Sequence, residues 1–147
     1  FYGKILEDYD RLQFGYEVTK QIARATDHVD EPEFFEVLQR AYAALNNLAV
    51  PLEVVQLWFW LNLAQLMGEG VNLLTDTNGM KLLADTPYRF DTELKTFAFD
   101  ENGQFDDRHI KLLRILSGSS PELALHITQL DDVLPAVYSL VAVIAEG

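Results

Sequence analysis

The sequence predicts a mainly α fold, a helical bundle of about six helices with a small β-hairpin insert near residues 86–105. Three observations carry that prediction. Apolar residues recur at helical spacing along the first half of the chain and again after residue 106. Pro, Gly and Asp/Asn residues punctuate those stretches where helices begin and end. Between Val71 and Phe105 the helical period is lost, and short alternating runs replace it.

The first helix is expected from about Ile5 to Ala25, where Tyr9, Leu12, Tyr16, Thr19 and Ala23 follow helical spacing with Ile22 beside them. The polar run from Thr26 to Asp30 closes it. Asp30 can cap the next helix, Pro32 suits its first turn, and Glu33 completes a D-x-x-E capping box. Phe34, Leu38, Ala41, Tyr42 and Leu45 form the inner stripe, and Asn46-Asn47 ends the helix. Pro51 opens a third helix that runs to about Met67, with Gly68 and Gly70 as stop signals. It is apolar around most of its circumference, which predicts a central, buried helix. Glu53, Gln56 and Trp60 share its least apolar side, so Trp60 stands where a solvent-facing residue is expected.

Thr77-Asn78-Gly79 reads as a turn, and Pro87 breaks any helix. Tyr88-Arg89-Phe90 alternates as a strand does, Phe97 and Phe99 share one strand face, and Asp100-Glu101-Asn102-Gly103 is a turn. Helices resume at Asp106 or Asp107, with a stripe of Ile110, Leu113 and Leu116 or Ser117. Another begins near Ser120-Pro121-Glu122. The last carries Leu130 to Ile144, with Pro135 in its first turn and residues 130–134 as the approach.

The chain has 147 residues, enough for one domain with a single core, residues 1–147. With no cysteine, disulfides and thiolate metal sites are excluded, and the chain fits a reducing cytoplasm. Lys+Arg is 11 and Asp+Glu 23, a net charge of −12, and a field of that sign repels phosphate backbones. Nucleic acid is therefore not expected as a direct partner. The apolar run from Val50 to Met67 is interrupted by Glu53, Gln56, Asn62 and Gln65, and that from Val133 to Ala145 is short and holds Pro135, so no membrane span is expected. The chain begins with Phe1 rather than Met, which suggests a segment upstream.

Little in the sequence points to catalysis. His28, His109 and His126 lie on different elements, lack the spacing of a helical metal pair, and are read as surface or boundary residues. The runs 74–79 and 98–103 hold Asp, Asn and Gly in the order of a calcium loop, but Leu74 and Ala98 stand at the first ligand position. Asn-Gly turns explain both. Gly68-Glu69-Gly70 follows a helix with no Gly-Lys-Ser/Thr after it, so it is no phosphate loop. Ser117-Gly118-Ser119-Ser120 lacks a neighbouring base and reads as a helix connection. The acids Glu7-Asp8-Asp10, Asp30-Glu31-Glu33 and Asp106-Asp107 sit at helix starts, where they meet the positive end of the dipole.

Binding features are better represented. Trp58, Phe59, Trp60, Tyr42, Phe34 and Phe35 supply aromatic mass, most of it core, with Trp60 the candidate for an interface. Lys20 and Arg24 lie one turn apart on one face, and Arg40 is the cation of the second helix. These side chains can receive a carboxylate-rich peptide or can be a solvated face with local ion pairs. Arg108, Lys111 and Arg114 form a second basic row open to the same two readings.

Leu6-Glu7-Asp8-Tyr9-Asp10-Arg11-Leu12 and Glu33-Phe34-Phe35-Glu36-Val37-Leu38 resemble the first two helices of the C-terminal domain of the RecO family. Residues 59–68, Phe-Trp-Leu-Asn-Leu-Ala-Gln-Leu-Met-Gly, resemble that family's F-x-L-x-L-L-x-x-x-G helix, and Gly70-Val71-Asn72-Leu73 falls at its G-x-x-x-x-L stretch. After the insert, residues 107–114 look like its next helix.

The resemblance covers nearly the whole chain. It implies the helical part of a recombination mediator of the RecF repair pathway, whose DNA-binding OB-fold would precede Phe1. It also implies partnership with RecR and with the C-terminal tail of single-stranded DNA-binding protein. Zinc-bearing members carry C-x-x-C-G about where this chain has Thr75-Asp76-Thr77-Asn78-Gly79, so no zinc or other cofactor is expected and apolar packing must hold the insert. The family often has Glu and Arg where Trp60 and Asn62 stand, which weakens a basic pocket on that face.

The expected function is thus a non-catalytic protein-interaction domain in DNA repair and homologous recombination. An apolar peptide end would dock near Lys20, Arg24, Arg40 and Trp60, oriented by charge. The alternatives are a small-molecule-binding or enzymatic domain with a pocket of Trp58, Trp60 and Tyr42, and a purely structural scaffold.

Overall fold

A computed structural model of the protein describes residues 2–27 and 31–146. Among them are the helices α1 (Gly3–Leu6), α2 (Tyr9–Ala25), α3 (Pro32–Leu45) and α4 (Leu52–Leu66), then the strands β1 (Asn72–Asp76), β2 (Tyr88–Asp91) and β3 (Thr96–Phe99). Helix α5 (Asp107–Gly118), a 310 helix (Pro121–His126) and α6 (Leu130–Glu146) complete the order. The fold is mainly α with a small β insert.

The axis is α4. Val54, Val55, Leu57, Trp58, Phe59, Leu61 and Leu63 are all buried, because α2, α3, α5, α6 and the 310 helix surround it. Each fully buried side chain of this size contributes about 1.5–3 kcal/mol. Pro51 stands at its N-cap, and Gly68, with φ +79°, takes the left-handed turn beyond its end.

The stretch from Ile5 to Ala25 is not one helix. Asp8 interrupts it and caps α2, its carboxylate accepting the Arg11 N–H at 3.1 Å. The inward face of α2 is Arg11, Phe14, Gly15, Val18 and Ile22. Of the spaced positions read from the sequence, Leu12 is half-buried, whereas Tyr9, Tyr16, Thr19 and Ala23 face solvent. Both stripes have the helical period. The packed one is that whose aliphatic and small residues fit against α3, where a Cβ added at Gly15 would come within 3.8 Å of Leu45 and Tyr42. On α3, Phe34, Ala41 and Leu45 are buried as expected, joined by Val37 and Ala44, with Leu38 and Tyr42 half-buried. Asp30, expected to cap this helix, lies outside the described residues, as does His28. The N-cap position is Glu31, without a side-chain cap.

The insert contains the expected hairpin and one more strand. Strands β2 and β3 pair antiparallel in the register Tyr88↔Phe99 to Asp91↔Thr96, and β1 adds in parallel on the other side of β3. The hairpin turn is set by Asp91, whose carboxylate accepts the N–H groups of Glu93 and Leu94 at 3.0 and 2.9 Å. Asp76 does the same for Asn78 and Met80 at 2.8 and 2.9 Å, and Asp100 for Asn102 at 2.9 Å. Phe97 is fully buried and meets Tyr88, Phe90 and Phe105 edge to face, with ring centroids 5.3–6.3 Å apart. Gly103 is obligatory, because a Cβ there would lie 2.3 Å from the Tyr88 carbonyl oxygen.

Helix α5 starts where expected. The segment after Ser120 is a 310 helix, and α6 already begins at Leu130, which places Pro135 inside the helix rather than in its first turn. The Pro135 ring is exposed, and its missing N–H leaves the Asp131 carbonyl without the ordinary helical donor. Among the described residues, no helix is long and apolar enough to cross a membrane.

Candidate functional site

Lys20 and Arg24 are exposed on α2, and neither has an ion-pair partner among the described residues. At 3.6 residues per turn they continue the outward stripe of Tyr9, Gln13 and Tyr16. Tyr9 is 72% and Tyr16 63% exposed. The outcome is a surface row with two aromatic rings at one end and two cations at the other.

Arg40 is also exposed, but it lies elsewhere. It lines a groove of about 260 Å³ between α3 and α4, beside Glu33, Glu36, Trp58 and Asn62. Two acids stand next to that cation, so the groove has no net positive character.

Trp60 is half-buried, packed edge-on against Phe59 with ring centroids 5.2 Å apart. It faces α6 rather than α3. Two adjoining depressions, about 220 and about 610 Å³, run between α4 and α6 and share Gln56 and Tyr138. The Tyr138 hydroxyl donates to Gln56 Oε1 at 3.3 Å across that junction. The acids Glu53, Asp131 and Glu146 line this groove, and no Lys or Arg does.

The four expected site residues therefore form no single surface. Lys20 and Arg24 share a face, while Arg40 and Trp60 each belong to a different groove. Nor do Trp58, Trp60 and Tyr42 share a pocket. Trp58 and Trp60 are separated by about 200° around α4, and Tyr42 packs on α2, near Gly15, and on the Tyr2 ring.

Several polar side chains have roles that spacing does not reveal. Arg11 is buried, and its guanidinium donates to the carbonyls of Ala44 at 3.5 Å, Leu45 at 2.8 Å, Asn47 at 3.4 Å and also Val50. It thereby satisfies orphan carbonyls at the end of α3 and ties α2 to the α3–α4 link. Trp58 Nε1 donates to the Ser119 carbonyl at 2.6 Å, and Asn62 to that of Leu116 at 2.9 Å, so α4 caps the end of α5. The basic row on α5 is largely engaged. Arg114 donates to the Leu73 carbonyl at 2.8 and 3.2 Å, holding β1 to the bundle, and Arg108 pairs with Asp106 at 3.3 Å.

His109 is buried rather than at the surface. Its ring meets Phe105, and its Nδ1 accepts the Asp106 N–H at 3.1 Å, closing a capping box. Burial pushes the Asp106 carboxyl up, but hydrogen bonds from the Arg108 side chain and backbone N–H outweigh it and hold the group below its ordinary value. Among the described residues, no group of three or more His, Asp or Glu side chains converges as metal ligands would. Compared with protein-family models, with curated proteins and with solved structures, the chain finds a match in none of the three.

Proposed function

We propose that this chain is a non-catalytic protein-interaction domain resembling the helical part of the RecO family, acting in DNA repair and homologous recombination in the cytoplasm. Its partners in this reading are a RecR-like protein and the acidic tail of a single-stranded DNA-binding protein. The observation that carries the reading is the outward row on α2, where Tyr9 and Tyr16 lead into Lys20 and Arg24. Exposed rings can seat an apolar peptide end, and the cations one turn on can orient carboxylates. Arg40 and Trp60 belong to separate surfaces and are not part of that row. A net charge of −12 disfavours phosphate backbones, which leaves DNA to another part of such a mediator.

The test is a titration of an acidic peptide with an apolar C-terminal end. Lys20→Glu combined with Arg24→Glu is expected to weaken binding by about tenfold or more, with a salt dependence that disappears in the variant. Unchanged binding would show that the row is only a solvated face.

A further inference from the structure

The geometry points to the α4–α6 groove as a docking cleft for a cationic amphipathic helix of a partner protein, on a surface separate from the α2 row and independent of the family reading. Two features select that occupant. The groove has a floor suited to an apolar stripe, since Trp60, Leu57, Val141 and Ala142 line one depression and Leu134 and Pro135 the other. Its ionisable groups have one sign. Glu53 and Asp131 stand at one end and Glu146 at the other. The remaining described grooves are not like this. That against the insert is lined by both Arg89 and Asp100, and that between α3 and α4 mixes Arg40 with Glu33 and Glu36.

Backbone polarity adds to the side chains at the Glu146 end, whereas Glu53 and Asp131 lie in the first turns of α4 and α6, at the positive ends of those helix dipoles. Pro135 has no N–H, so the Asp131 carbonyl four residues earlier lacks its ordinary helical donor. Glu146 lies in the last turn of α6, where the helix dipole is negative, and no basic side chain stands there to offset it. From Asp131 to Glu146 the groove follows α6 for about 22 Å at 1.5 Å per residue, close to four turns of a docked helix.

Other occupants fit less well. A second copy across a two-fold axis would set the same acids against each other, and such like-charge contacts cost several kcal/mol. Nucleic acid and anionic membranes meet the same repulsion. A Lys/Arg-flanked apolar helix meets none, and Trp60 with Tyr138 would be its anchors, residue types that dominate interface energetics.

The probe is a sixteen-residue amphipathic peptide with a Leu stripe flanked by Lys, together with the same peptide carrying Glu for Lys. The Lys peptide should shift Trp emission to shorter wavelength, and Trp60→Phe should abolish the shift, because the other tryptophan, Trp58, is buried. The triple variant Glu53→Lys, Asp131→Lys, Glu146→Lys should weaken the Lys peptide by about tenfold or more and strengthen the Glu peptide. Reversing Glu7, Glu93 and Glu101, exposed acids that do not line the groove, makes the same change in net charge and should alter affinity less than about twofold. Circular dichroism checks that both triple variants fold. Equal weakening by the two triple variants would mean that only the overall field attracts the peptide and would overturn the cleft. So would equal binding of the Glu peptide, the absence of any binding, or a dimer in sedimentation that the groove variant disperses and the peptide does not. Lys20→Glu plus Arg24→Glu leaves this groove intact, so failure of the α2 reading and failure of this one are separable.

Discussion

The helical body and the β insert are held by different means. In the body, α4 is wrapped by helices on nearly every side, and buried polar groups of α2 and α4 tie off the carbonyl ends of α3 and α5. In the insert, short strands rely on one aromatic cluster around Phe97 and on Asp side chains that shape the turns. Leu74, 76% exposed, and the exposed Met80, Leu83 and Leu94 show how little of the insert's apolar surface is covered. The comparison teaches that a body buried on many sides distributes its stability, whereas a thin sheet concentrates it in a few rings.

The sharpest way to break this comparison is to remove one fully buried ring from each region. Phe59→Ala in α4 and Phe97→Ala in β3 should each cost about 3–5 kcal/mol. Phe59→Ala should lower the unfolding midpoint of the whole helical signal. Phe97→Ala should accelerate amide exchange chiefly across residues 72–105 while most of the helical signal persists. If both variants melt the helices alike, body and insert are one cooperative unit and the contrast fails.

A smaller effect tests whether the ties at helix ends matter to the body. Arg11→Met keeps the apolar stem but strips donors from the carbonyls of Leu45 and Val50, and should cost about 3 kcal/mol. Arg11→Lys should recover only part, since an ammonium cannot span divergent acceptors as the guanidinium fork does. Urea unfolding with an unchanged slope and a lowered midpoint is the expected record.

The smallest effect lies at the junction, where Asp106 starts α5 directly after the insert. Asp106→Ala should cost about 1 kcal/mol through loss of the cap. Because the folded carboxyl is held below its ordinary value of about 3.9, the wild type keeps this advantage above that pH and loses it as pH falls through the lowered folded value. The stability gap between wild type and variant should thus be constant near neutrality and close on acidification below about pH 4. A gap that persists in acid would mean that the carboxylate charge contributes nothing to the cap.

Residue order alone determined the class of fold, the central place of α4, the β2–β3 hairpin and the starts of α4 and α5, because periodicity and Pro, Gly and Asp signals act within a few residues. It also showed that Lys20 and Arg24 share a face, since one turn of helix suffices for that. Tertiary structure decided which stripe of α2 turns inward, as Tyr9-Tyr16 and Phe14-Val18-Ile22 have the same period and only packing against α3 chooses between them. It decided that β1 joins the sheet in parallel and that Arg11 is buried, because their partners lie on distant elements, and it turned His109 inward although its capping partner Asp106 is only three residues away. Above all it separated Trp60 and Arg40, which the sequence grouped with the α2 cations. Around a helix packed on most sides, neighbouring positions in the chain face different partners, and no local pattern says which partner each will meet.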